Sequence, residues 1–161
     1  MHRFSLIQLV RGGLIAALYA LLALAFPAFS FSMMQFRLSE ALVLLPLHWP
    51  EAVYGLAIGC FLANLGSPFG IVDIIGGTIC TAVAALLTRR FRHSPLIAIL
   101  APIVINAIGV GAYLALLTKE LFWVTVLWIA LSESIAVVVL ALPLSRVVAR
   151  RSGSIKDSME N

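Results

Sequence analysis

The sequence predicts an all-α integral membrane protein with six transmembrane helices and both termini in the cytoplasm. One domain covers residues 1–151, and a polar, disordered tail covers 152–161. Three observations carry this prediction. First, the 161 residues are 62% hydrophobic and 11% charged, with a mean hydropathy of +1.09, which leaves too little polar surface for a soluble globule of this size. Second, the apolar residues fall into runs whose lengths suit membrane helices of roughly 20 residues. Third, the basic residues gather in short clusters at the ends of those runs. The net charge of +4 is therefore read as an orientation signal and not as a nucleic-acid surface.

The first run, near 12–31, follows Arg3 and Arg11. A signal peptide is its rival reading, with Ala-rich positions near Pro27 loosely resembling a cleavage site. The second run, near 37–48, is short. The third, near 51–66, opens on Pro50-Glu51, where an acid suits the start of a helix, so Glu51 reads as a structural cap. The fourth and fifth, near 70–88 and 95–117, are separated by Arg89-Arg90-Phe91-Arg92-His93. The sixth, near 121–147, is followed by Arg146, Arg150 and Arg151. All three basic clusters share one side of the membrane only if an even number of crossings separates them, as six helices require. The outward connections are then 27–36, 66–70 and 117–121.

Polar residues among these apolar runs are the candidate site. An ionised side chain at the centre of a membrane helix costs about 2.5–3.5 kcal/mol on insertion scales, so such groups usually line a cavity or pair with one another. Arg37 and Glu40 start the second helix, Asn64 ends the third and Asp73 starts the fourth, while Asn106 and Glu133 lie near the middle of the fifth and sixth. Together they point to one outward-facing pocket at half depth.

Plainer readings stand beside this one. Arg37 and Glu40, at i and i+3, also suit an interfacial ion pair. Asn64 and Asn106 suit interhelical hydrogen-bond glue equally well, and Asp73 after Gly70 suits a helix cap. Glu133, between Ser132 and Ser134 in an apolar helix, is the hardest to explain structurally. His48 beside Trp49 reads as interfacial, and Cys60 and Cys80, without metal-like spacing, read as inert buried thiols. The glycines Gly55, Gly59, Gly76, Gly77, Gly109 and Gly111 read as points of close helix contact. Ala16 and Ala20 form a small-xxx-small pair that also allows close packing.

No GxxxxGK[ST] motif is present, so this chain does not hydrolyse ATP by P-loop chemistry, and any energy it uses has to come from partners or a gradient. His2, His48 and His93 are scattered away from the carboxylates, which speaks against an enzyme and against a metal centre. No internal repeat of the kind common in self-powered carriers is evident, although a stand-alone ion-coupled carrier is the alternative kept open.

The run Gln35-Phe36-Arg37-Leu38-Ser39-Glu40-Ala41-Leu42, with Pro50-Glu51-Ala52, Gly59-Cys60-xxx-Asn64 and Asp73-xxx-Gly77, resembles the queuosine precursor transporter (QueT) family. The resemblance covers nearly the whole chain, including Asn106 and Glu133. It implies a substrate-binding S-component of an energy-coupling factor (ECF) transporter in the bacterial plasma membrane, with another vitamin as the alternative cargo. The implied cargo is a 7-deazaguanine such as prequeuosine or queuine. The implied partners are a membrane scaffold (T) component, docked at Ala16 and Ala20, and two ABC ATPase subunits that use ATP, with no cofactor in this chain.

Such a ligand suits the residues. A guanine-like edge offers an N–H and an amino group to a carboxylate, for which Glu133 and Glu40 are both candidates, and a carbonyl to Arg37 or an Asn. Asp73 is the expected acceptor for an aminomethyl cation. Phe36, Phe69 and Tyr113 are candidates to stack on the bicycle.

Overall fold

A computed structural model describes residues 5–30 and 35–160. Arg3 and positions 31–34 of the first outward connection lie outside them. The fold is all-helical, with no strand among the described residues.

The first helix, α1 (Leu6–Ala25), starts earlier than the run at 12–31 suggests because a capping box precedes it. The Ser5 hydroxyl accepts from the Gln8 N–H at 3.3 Å, and the Gln8 side chain accepts from the Ser5 N–H at 3.0 Å. It ends at Phe26, since the residue before Pro27 is pushed out of helical geometry. A single turn, α2 (Pro27–Ser30), follows.

The expected short helix at 37–48 is instead two 3-10 turns, Leu38–Leu42 and Leu45–Leu47. Pro46 has no N–H to give to an α-helical ladder, and the turns close on shorter bonds such as Glu40 N–H to Arg37 O at 3.1 Å. The carbonyls of Pro46 and Leu47 both accept from Arg89 Nη1 at 3.2 Å, which ties this segment to the basic end of the fourth helix.

Next comes α3 (Ala52–Asn64), whose 13 residues rise about 20 Å, short of the roughly 30 Å hydrocarbon core. Then follow α4 (Ile71–Arg90), α5 (Pro95–Thr118) and α6 (Phe122–Ala136). A π-helical turn, Val137–Ala141, joins α6 to α7 (Leu142–Glu160). The backbone is thus helical through residues 152–160, where the sequence reading places a disordered tail.

Four helices are long and apolar enough to cross a membrane: Leu6–Ala25, Ile71–Arg90, Pro95–Thr118 and the continuous run Phe122–Arg151. The 3-10 segment and α3 are apolar but shorter.

The helices pack in chain order, α1 on α3, α3 on α4, α4 on α5 and α5 on α6, while the 3-10 segment bridges α1 to α6 and the π turn. That segment closes the ring and carries Glu40 into its interior. α1 and α3 approach so closely at Gly59 that a Cβ there would sit 2.6 Å from the Cβ of Tyr19 and 2.8 Å from the Ala16 carbonyl. Leu21, Leu116, Trp123 and Leu127 point outward, whereas Arg37, Glu40, Asp73 and Glu133 are buried. An apolar exterior around a charged interior is the arrangement a bilayer solvent demands.

Candidate functional site

The site begins at Arg37, just ahead of the first 3-10 turn and 5% exposed. Its Nε donates to the Ser30 carbonyl at 3.2 Å, and its Nη2 lies 3.6 Å from Asp73 Oδ2. The i,i+3 ion pair with Glu40 does not form: Arg37 turns to Asp73 on α4 instead.

Asp73 is fully buried, and each of its oxygens is engaged. Oδ1 accepts from the Tyr113 hydroxyl at 2.5 Å and Oδ2 from the Ser67 hydroxyl at 2.5 Å. It is not the cap of α4, a position taken by Gly70 at φ 64. The Asn64 side chain donates to the Asp73 backbone carbonyl at 2.9 Å. Glycine is required beside this cluster, because a Cβ at Gly77 would lie 2.5 Å from Asn64 Nδ2. Asn64 and Asp73 therefore form a layer behind Arg37 that fixes the guanidinium.

Glu40, 3% exposed, receives the Tyr19 hydroxyl on Oε1 at 2.7 Å. Glu133, from α6, receives the side-chain N–H of Asn106, from α5, on its Oε1. The second oxygen of each carboxylate is buried without a hydrogen-bond partner, and so are Asn106 Oδ1 and Gln35 Nε2. Buried polar atoms of this kind are expensive, and natural proteins hold few without a role.

These atoms face one enclosed space. Gln35, Arg37, Glu40, Asn106 and Glu133 line it, with Val110 and Ile129 as apolar walls. Its volume is about 10 Å³, room for roughly one water. Of the six residues singled out from sequence, Arg37, Glu40, Asn106 and Glu133 line the cavity, and Asn64 and Asp73 stand behind it. Sequence reasoning passed over Gln35 and Tyr19 as site residues. Gln35 has a left-handed backbone, φ 46, uncommon outside glycine, and no sequence signal announces it. Tyr19 had a visible signal, being a hydroxyl within the otherwise apolar second half of α1.

Other expectations change. Ala16 is 5% exposed and packs against Gly59, inside the protein's own α1–α3 contact, so it cannot present a docking surface. Ala20 is partly exposed. The open small residues of α1 are Gly13, with nothing within 4 Å of an added Cβ, Ala17 and, at the helix end, Ala25. Glu51 does stand at the N-cap of α3, as expected, but its side chain makes no cap hydrogen bond and pairs with Arg11 at 2.6 Å, whose guanidinium lies 4.7 Å from the Trp49 ring centre. His48 hydrogen-bonds Ser145 at 2.8 Å. Cys60 is a buried free thiol, as expected, and sits within the polar cluster, accepting from Thr81 at 3.2 Å. Phe69 and Tyr113 each pack against the α5–α6 core, and the Tyr113 hydroxyl serves Asp73.

Helices long enough to cross a bilayer, closed around a buried, polar and incompletely paired cavity, define an integral membrane protein of the transport class. Residues 9–150 match the model of the QueT transporter family, and the chain belongs to that family. Family membership sets it among transporters. No curated protein and no solved structure matches the chain.

Proposed function

We propose that this protein is the substrate-capture (S) component of an ECF-type importer and that its cargo is a queuosine precursor, a 7-deazaguanine. The carrying observation is the bare pair Glu133 Oε2 and Asn106 Oδ1 on the cavity wall. Two bare acceptors on residues joined by a hydrogen bond suit the adjacent N–H and amino donors of a guanine-like edge, and Gln35 Nε2 and Arg37 offer donors to its carbonyl. Val110 and Ile129 supply the apolar contact that a flat bicycle needs.

The cavity is far smaller than such a bicycle, so capture requires its walls to part. The 3-10 segment suits that movement, since short 3-10 turns hold fewer and weaker bonds than an α-helix. The chain has no P-loop, so in this reading two ATPase subunits supply the energy through a membrane scaffold. The scaffold meets the exposed Gly13 and Ala17 face of α1, where small side chains let another helix approach. The protein sits in the bacterial plasma membrane with six membrane-embedded segments, both termini cytoplasmic and the cavity toward the outside.

Equilibrium dialysis of the purified protein against deazaguanines, purines and unrelated vitamins tests the reading. Tight binding of a deazaguanine without ATP is expected. Intact protein that binds none of them overturns it.

A further inference from the structure

We infer that the groove between the basic ends of α4 and α5 binds one anionic phospholipid, with an acyl chain in the groove and the phosphate at Arg90 and Arg92. The groove follows from the local sequence. Pro102 has no N–H for the α5 ladder, which leaves the Ala98 carbonyl without its usual partner. The buried Thr88 hydroxyl of α4 donates to that carbonyl at 3.2 Å and ties the two helices together on their buried side. On the outer side the short side chain of Ala101 forms a floor between longer walls, Leu87 and Phe91 from α4 and Ile97, Leu100 and Val104 from α5. The resulting trough, of about 240 Å³, is lined by apolar residues only. From Ile97 to Val104 it runs about 10 Å along α5, a helix long and apolar enough to cross the bilayer, so a lipid chain lies beside it over that length.

The mouth of the trough is cationic. Arg89, Arg90 and Arg92 stand within two residues of Phe91, and no acid occurs from residue 74 to residue 119. Arg89 is engaged with the carbonyls of Pro46 and Leu47. Arg90 and Arg92 are exposed and have no ion-pair partner among the described residues. Arg92 Nε donates to the His93 ring at 3.0 Å, which brings no negative charge to the loop. Arg90 follows Leu87 by three residues and precedes Phe91, which sets it on the face of α4 that lines the trough. The start of α5 adds to the attraction: Ser94 gives no side-chain cap, and Ile97, in the first turn, is a wall of the trough. A neutral lipid matches the apolar trough and leaves the two arginines unanswered, whereas an anionic lipid matches both.

The test titrates the purified full-length protein, stripped of lipid in detergent, with phosphatidylglycerol, with phosphatidylcholine of the same chains and with glycerol 3-phosphate, and native mass spectrometry counts what is bound. The first phosphatidylglycerol should bind at least about tenfold more tightly than phosphatidylcholine, since each arginine beside an anionic headgroup is worth about fivefold. Arg90→Gln together with Arg92→Gln should remove that preference. Val104→Trp, which fills the trough from its open side, should weaken both lipids at least about tenfold, the effect of keeping two or more methylenes out of it. Equal affinity of the two lipids for the unaltered protein overturns the inference, and that comparison needs no variant to fold. Glycerol 3-phosphate that binds as tightly as the lipid also overturns it, because the trough then plays no part. A preference that survives in the double variant overturns it in favour of the cluster at Arg146, Arg150 and Arg151, and binding of neither lipid overturns it in favour of a protein partner on this face.

Discussion

The hydroxyl of Tyr19 donates to Oε1 of Glu40 at 2.7 Å, joining the face of α1 that packs on α3 to a carboxylate of the cavity. Both residues are buried, and the Cβ of Tyr19 is held by the close approach of α1 to Gly59. The position of one oxygen of Glu40 is thereby set by the packing of two helices, which leaves the other aimed at the cavity.

Removing that hydroxyl while keeping the ring isolates the effect. Tyr19→Phe is expected to weaken ligand binding by about 0.5–1.5 kcal/mol, the usual net worth of a hydrogen bond. Titration calorimetry in detergent reads it directly. Unchanged affinity would show that Glu40 orients itself without α1.

Glu133→Gln should cost about 1–3 kcal/mol of binding, the penalty of leaving ligand donors poorly paired in a dry site. If Glu133→Gln is silent and Glu40→Gln abolishes binding, Glu40 takes the role given to Glu133.

The two faces of α1 should behave oppositely. Ala16→Leu forces a large side chain into the contact with Gly59 and should lower the unfolding temperature, with a cost of about 1–3 kcal/mol typical of overpacking, and binding should fall with it. Gly13→Leu projects into open space, so fold and binding should survive while uptake in cells is lost. Normal uptake by the Gly13 variant would move scaffold docking away from this face.

Orientation is tested by labelling. A Cys at Lys119 should react with an impermeant thiol reagent from outside, and a Cys at Arg92 should not, since Arg92 belongs to a basic cluster expected in the cytoplasm. Reaction at position 92 from outside would invert the protein and favour export.

Much of this was legible in the sequence because membrane polarity is a strong filter. Arg37, Glu40, Asn106 and Glu133 stand out against apolar neighbours, and all four reach the cavity. Pairing was not legible. The choice of Asp73 over Glu40 by Arg37 depends on how α4 lies beside the 3-10 segment, and that is a tertiary fact. The 37–48 segment misled because its hydropathy suits a helix, while Pro46 and the carbonyls held by Arg89 decide its backbone. Ala16 misled for a related reason: small residues permit close contact without saying with which helix, and here the contact is internal.

A cavity of about 10 Å³ has a kinetic consequence. If the closed form prevails in solution, the rate of ligand association should level off at high ligand concentration, at the rate at which the walls open. The measured affinity is then the intrinsic one reduced by the fraction of molecules that are open. Substitutions that loosen the packing of the 3-10 segment on the π turn, such as Val137→Ala, would raise that fraction. They would bind faster and release faster, with no change in any atom that touches the ligand.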